Sequence, residues 1–463
     1  MRRPPDYYNA RSNHKFLTEV IKVKQDHYDV AVIGSGIAGM CAAALLAHSG
    51  YSVLVVEKLP QLGGRCSTIE YKGYKIPHVA QERPLAEWGG IDAAIFKEVG
   101  ADFDVIPLPP IVYRIKGTDY QAPEKGQFAF LLSQCCKDEA EFDRVRTALR
   151  RARTWTEPSS SISFLDWILQ YTDNELVIAL LENFLCALLM MRANEVSARD
   201  VIGFYRVGLS RWGHTGRPRR GNIALMESLA ETIRGRGGDV WTHSPAKQIL
   251  TAEGVVKGIV VDKKGDEIEI AAKAVISNTG PKETAELVGK EKLDKGYMKE
   301  LKENLHHGSQ MLIAFASHRP LIEYAGGLAT VGGRRVLHLS CLTLTCPELS
   351  PPGKYLHTAQ CQPRSQFAPL NPSQEIEAAI EDLRENLPGF DKDAEVLHIA
   401  CMFNPDWPGY RNLSGYYLPQ KTPIENLYNV GDGVPFFPEG PYAVTTSRPV
   451  VDDLKNRIKP EEG

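Results

Sequence analysis

Gly34, Gly36 and Gly39 stand in a G-x-G-x-x-G pattern, and a carboxylate, Glu57, follows about 20 residues on. This is the residue set that a bound dinucleotide requires. Gly34 permits a tight turn, Gly36 lets the backbone approach a pyrophosphate, and Gly39 lets a helix pack close to a strand. The amides of Ser35, Ile37 and Ala38 lie within that loop, where a helix N-terminus offers free N–H groups and a partial positive charge to a diphosphate. Glu57 is placed to accept hydrogen bonds from a ribose. The unit does not choose between NAD and FAD, because both carry an ADP half.

The surrounding residues form elements that hold this loop. Tyr28 to Ile33 reads as a buried parallel strand. Ile37 to Ser49 reads as an alanine- and leucine-rich helix stopped by Gly50, and Ser52 to Val56 as a second strand ending at Glu57. Residues 1–26 are polar and form an N-terminal extension, with one helix expected from Asn13 to Lys24. Gly221 to Ile249 reads as a helix with Leu225, Leu229 and Ile233 on one face, a glycine turn, and a strand from Val240 onward. Leu176 to Met191 is the most apolar stretch. It is too short for a membrane span and reads as a buried helix.

Beyond the loop, Glu57 to Arg65 resembles the E-x5-GGR extension of the amine oxidase and phytoene desaturase superfamily of flavoproteins. The resemblance returns at Gly221 to Ile249, at Ala274 to Thr279, and at Asn426 to Gly433, a strand ending in Gly-Asp. It implies an α/β fold: a Rossmann-like FAD-binding domain of amine-oxidase type with an inserted α+β substrate domain. The FAD domain would comprise residues 27–110, 211–290 and 411–463, and the substrate domain residues 111–210 and 291–410. FAD is the implied cofactor. Lys58, Gly63, Gly64 and Arg65 would meet its diphosphate and ribityl chain, Arg65 by its guanidinium. Ala246 would bind adenine through its backbone. Gly431 and Asp432 would bind the ribityl region. A helix expected from Glu439 to Leu454, with Tyr442 and Ala443 near its start, would point its N-terminus at the flavin pyrimidine.

By the same resemblance, His78 lies near the isoalloxazine edge, where its ordinary pKa suits a base. A histidine that only hydrogen-bonds backbone fits equally well. The family's Asp-x-Gly pattern is absent at this point: Pro77 and Ala80 stand here instead. The loop Arg211 to Arg220 precedes the return to the FAD domain. Arg219 and Arg220 would clamp a carboxylate or phosphate of a substrate, or the loop is simply a solvated basic segment. Tyr416 would bind substrate and Tyr442 would act with His78 as a catalytic residue, both lining a substrate cavity, or the two pack in a core. His306-His307 has no partner at metal-ligand spacing, so no metal is assigned.

Composition bounds the rest. The chain has 463 residues and a formal net charge of −3, which gives no footprint for nucleic acid. Nine cysteines without a CxxC pair argue against a disulfide framework or a zinc site, and reduced thiols in a cytoplasm are expected. Pro4-Pro5-Asp6 follows the first arginines, so no signal peptide is read, while peripheral membrane contact stays open. No second G-x-G-x-x-G follows a strand, which disfavours a separate NAD(P)H domain. The expected function is dehydrogenation (desaturation) of an apolar, alicyclic or isoprenoid-like small molecule by hydride transfer to flavin N5. A diffusible acceptor, such as oxygen, a quinone or an electron carrier, would take the electrons. An amine or protoporphyrinogen-type oxidase and a redox-neutral isomerase are the alternatives. A non-enzymatic escort-like protein is disfavoured by the intact glycines, Glu57 and Arg65.

Overall fold

The computed structural model describes residues 27–79, 81–84, 90–154, 162–189, 191–208, 215–403, 410–411, 418–434 and 443–460. The expected N-terminal helix and residues Tyr416 and Tyr442 lie outside them.

The first expectation is met by β1 (His27–Ile33), α1 (Ile37–His48) and β2 (Val53–Val56). β1 and β2 pair in parallel from Val30↔Val53 to Ile33↔Val56. Strand Asp266–Ser277 pairs with β1 on its other side, also in parallel. Strand Leu427–Asn429 lies beside the end of Asp266–Ser277, with Ser277 opposite Asn429. Strand Asp239–Trp241 extends the sheet beyond β2. The first half of Asp266–Ser277 instead continues an antiparallel meander with Val255–Lys263 and Ala246–Ala252.

β1 is almost uniformly apolar because the sheet is covered on both faces. Val30 and Val32 pack with α1, helix Asn222–Gly235 and helix Ser447–Arg457. Ala31 and Ile33 pack on the opposite side with Ala285, Val288 and Leu301. Every residue of α1 except His48 is buried. Its alanines let it approach the sheet and two helices together. Truncating Leu45 in this helix would cost about 2–5 kcal/mol.

One expected element differs in detail. The strand expected to run from Val240 to Ile249 is two strands, broken near Pro245, which has no N–H for a ladder. Its carbonyl instead accepts the Asp262 amide at 3.0 Å. The last described helix spans Ser447–Arg457, after a tight 3-10 turn over Ala443–Thr446, and the expected start at Glu439 lies outside the described residues.

The second sheet has the order Glu395–Met402, Gln310–Ser317, Tyr355–Cys361, Val336–Cys341, Leu328–Val331, Val112–Ile115, Thr118–Gln121. Register fixes its faces. Tyr113, Ala329, His338, Gln360, Leu312 and Ala400 lie in a row across one face, termed inner here. The outer face carries Val112, Leu328, Leu339, Ile313 and Phe315, and helix Pro372–Asn386 covers it through Ala379 and Leu383.

The apolar run forms helix Glu175–Leu189, packed at the Tyr113 end of the inner face. The two polar residues that interrupt the run hold the helix in place. Asn183 donates both amide hydrogens to the carbonyls of Thr330 and Leu337 at 3.1 Å each. Glu182 accepts the Ala193 amide at 3.0 Å. Among the described residues, no helix is long and apolar enough to cross a membrane. All nine cysteines are described, and all are free.

Candidate active site

The glycine loop is built around one asparagine. Gly34 turns at φ +93°, and its amide donates to Val56 O at 2.8 Å. A Cβ on Gly36 would lie 2.8 Å from Asn278 Nδ2, and one on Gly39 would lie 2.6 Å from Gly34 O. Asn278 follows strand Asp266–Ser277, where its amide donates to Ile33 O at 2.8 Å. Its Oδ1 accepts the Gly39 N–H. It therefore caps α1 from outside, since Gly36 at the N-cap has no side chain to do so. The amides of Ile37 and Ala38, which no intrahelical carbonyl can reach, are left for a diphosphate.

Ser35 locks this loop to Glu57. Its N–H and Oγ–H both donate to Glu57 Oε2, at 2.9 and 2.7 Å. Its Oγ also accepts the Gly63 amide at 3.0 Å. Leu59 N–H donates to Glu57 Oε1 at 2.9 Å. The buried carboxylate is thus fixed by three bonds and keeps lone pairs for a ribose. The Glu57 carbonyl accepts from the Ser244 amide at 2.8 Å, which brings the start of the Ala246 strand alongside. Lys58 is exposed.

Gly63 and Gly64 adopt φ of +102° and +53°, and Gly63 bridges to Gly36. A Cβ on Gly63 would meet Cys66 O at 2.5 Å. Arg65 forms a salt bridge with Asp432 at 2.5 Å, joining the GGR segment to the last motif. Gly431, at φ +91°, donates its amide to Thr446 Oγ1 at 2.8 Å. Ala443 opens the turn that carries Thr446. A Cβ on Gly431 would lie 3.3 Å from Asn278 Nδ2, so Asn278 sits among Gly34, Gly36, Gly39 and Gly431. A Cβ-free cleft, unspent helix amides and a nearby guanidinium are what the diphosphate and ribityl chain of FAD need.

The segment after Arg65 crosses the inner face of the second sheet. Val79 packs with Leu312, Ala400 and Met402. Gln81 Oε1 accepts the Thr358 hydroxyl at 2.7 Å. Glu82 accepts the Thr215 hydroxyl at 2.8 Å and lies 3.9 Å from Arg217. His78 leads this segment. Burial, and then the Arg65 charge, lower its pKa and keep the ring neutral. Among the described residues, its Nδ1 has no hydrogen-bond partner. His398, on the strand Glu395–Met402, is also lowered by burial and then by His78.

The loop arginines separate into two kinds. Arg219 and Arg220 are surface residues paired with Asp104 at 3.1 Å and Asp102 at 3.4 Å. Arg219 is also 3.7 Å from Glu348. The structure therefore spends these two guanidiniums on surface ion pairs rather than gathering them beside His78. Arg217 is the buried one, 2% exposed, and donates to Thr345 Oγ1 at 2.6 Å. Its side chain turns inward because strand Thr215–Pro218 is sandwiched between Arg83–Pro84 and Val105–Pro107.

The Ser35 amide, expected to face the diphosphate with those of Ile37 and Ala38, donates to Glu57 instead. Two residues had no legible role in the sequence. Asn278 reads only as the end of a strand motif, although it organises the glycine loop. Gln310 carries no motif; its burial and lack of partners become apparent only in the fold.

The comparisons with known proteins agree with this geometry. The model of the flavin containing amine oxidoreductase family matches residues 116–432, and that of an NAD(P)-binding Rossmann-like domain matches residues 32–82. An uncharacterized protein of Methanocaldococcus jannaschii is 26% identical over 411 residues, covering 87% of this chain and 93% of its own. The all-trans-retinol 13,14-reductase of Macaca fascicularis is 23% identical over 320 residues, 60% of this chain. The match spans about half of that reductase, 52%. The crystal structure of an oxidoreductase from Methanosarcina mazei superposes with a TM-score of 0.79 at 28% identity, covering 92% of this chain and 99% of that one. With the family model spanning most of the chain and the glycine cleft intact at both ends, the protein is an FAD-dependent oxidoreductase that belongs to the flavin containing amine oxidoreductase family.

Proposed function

We propose that this enzyme dehydrogenates a carbon–carbon bond of an apolar, alicyclic or isoprenoid-like small molecule and passes the electrons to a diffusible acceptor. The observation that carries this reading is the apolar patch of Val79, Leu312, Ala400 and Met402 beside His78. Among the described residues, the carboxylates of Asp432 and Glu82 are already engaged by Arg65 and by Thr215. Neither is left to hold the ammonium group of an amine. The retinol reductase relative is named for a reaction on an isoprenoid, run in the direction of reduction. Bound FAD would supply two-electron chemistry by taking a hydride from carbon.

The chain's own residues would do the rest. Ile37 and Ala38 amides hold the diphosphate, Glu57 the ribose, and Arg65 with Asp432 the ribityl end. His78, kept neutral, takes the second hydrogen of the substrate as a proton at Nδ1. The apolar wall excludes water from the reacting carbon. Anaerobic photometry tests this. Small cyclic ketones, isoprenoids and amines are added in turn to oxidised holoenzyme. An isoprenoid or alicyclic compound should bleach the flavin band, and the dithionite-reduced protein should be reoxidised by the matching alkene. Bleaching by primary amines alone defeats the proposal.

A further inference from the structure

Gln310 opens the strand Gln310–Ser317 on the inner face, two residues before Leu312 and opposite Met402. It is fully buried, and among the described residues neither Oε1 nor Nε2 has a hydrogen-bond partner. A buried amide without partners is costly, so both ends are normally satisfied.

The contrast with a second buried glutamine is direct. Gln366 receives the Ser309 amide at Oε1 and donates from Nε2 to Ser309 O at 2.6 Å. Its own amide donates to Glu195 Oε1 at 2.8 Å. This network clamps the residue before Gln310, so the strand start is rigid while the Gln310 side chain is left unspent. That is how a preorganised binding group is built.

The surroundings select the occupant. Leu312, Ala400, Met402 and Val79 offer only apolar contact. His78 and His398 beside them are held neutral chiefly by burial. A site that disfavours a proton on imidazole disfavours an ammonium ion for the same reason. A carboxamide, in contrast, donates and accepts, and suits an uncharged oxygen.

Building on the functional reading above, we propose that Gln310 anchors the substrate by hydrogen-bonding a carbonyl or hydroxyl oxygen of a neutral, otherwise apolar molecule packed on Leu312, Ala400, Met402 and Val79. Gln310 is thus a specificity residue. It orients one end of the molecule and performs no proton transfer.

The test uses oxidised holoenzyme and three probes of one carbon skeleton: β-ionone, the hydrocarbon lacking its oxygen, and the corresponding primary amine. Binding is read from the perturbation of the flavin absorbance band, without reduction. β-Ionone should bind wild type at least about tenfold more tightly than either analogue, in line with one satisfied buried amide. Gln310→Leu should erase that preference. It should also raise the melting temperature of the ligand-free protein, because an unsatisfied polar group is removed. Gln310→Glu, which cannot donate when ionised, should lose β-ionone as well. The proposal is overturned by retention of the preference in Gln310→Leu, by tightest binding of the amine, or by binding of none of the three. It is equally overturned by a lower melting temperature in Gln310→Leu, which would mark a structural role. A flavin band shifted by that substitution before any probe is added would mark a cofactor contact instead, and also overturns it. Bleaching is recorded separately, so failure of the dehydrogenase reading and failure of the anchor give different results.

Discussion

Asn278 Oδ1 accepts the backbone amide of Gly39, a contact between residues 239 apart in the chain. One side chain thereby caps the dinucleotide helix and packs against Gly431 of the last motif. Asn278→Ala should lower the melting temperature by the loss of a cap, about 1 kcal/mol, and lower the FAD content of purified protein. Asn278→Asp keeps the acceptor, and a negative charge there favours the helix dipole, so the apoprotein should be as stable as wild type. Its carboxylate would stand beside the diphosphate and repel it. An Asp variant that retains FAD as wild type does places the diphosphate elsewhere.

Arg65 links the cofactor site to His78. Arg65→Ala removes the partner of Asp432 and should reduce FAD affinity by tenfold or more, read by flavin fluorescence on dilution. It also removes a charge that disfavours protonated His78. The acid limb of flavin reduction in reconstituted enzyme should therefore move to higher pH. An unshifted limb removes His78 from the proton transfer.

Acid sensitivity should originate largely in the second sheet. His357 stacks on Phe315 with ring centroids 5.0 Å apart. Its Nε2 lies 2.8 Å from Ser317 Oγ. The serine proton goes to Arg319 O, so the imidazole must donate from Nε2. Burial pushes its pKa from 6.5 down to about 4. The unfolded chain binds this proton first, so the contribution is fully present above pH 6.5 and is lost as pH falls toward 4. It amounts to about 3 kcal/mol. His78, His338 and His398 are shifted the same way by burial. The wild-type melting temperature should fall between pH 6.5 and 4.5, and less steeply in His357→Gln. A flat profile in wild type rules out this account.

Arg219 and Arg220 should be dispensable. Both are exposed and ion-paired at the surface. Alanine at either position should change stability by no more than about 0.5 kcal/mol and leave KM unchanged. A tenfold rise in KM would return them to the pocket rim.

The glycine loop and GGR segment were legible because diphosphate binding demands particular residues at fixed local spacing. Gly34, Gly36 and Gly39 are each explained by a clash or a dihedral that the pattern already implied. The residues that escaped notice work across the chain. Asn278 has no local signature, because its partner is a helix on another segment. Gln310 looks like any polar residue at the start of a strand until the register sets it opposite Met402. The arginine loop left two readings open for the complementary reason: charge clustering in sequence says nothing about acidic partners such as Asp102 and Asp104, which the fold brings to it.

The strand Leu427–Asn429 lies against Ser277, and Gly431 follows it into the cofactor cleft. During synthesis, β1, α1 and β2 emerge hundreds of residues before that strand. The first half of the cleft therefore waits, incomplete, while the whole second sheet is made. Loop closure of this length is entropically slow, and the order of events is imposed by the ribosome. The cleft that would hold FAD is therefore complete only once the chain has reached Gly431, long after its first half has been made.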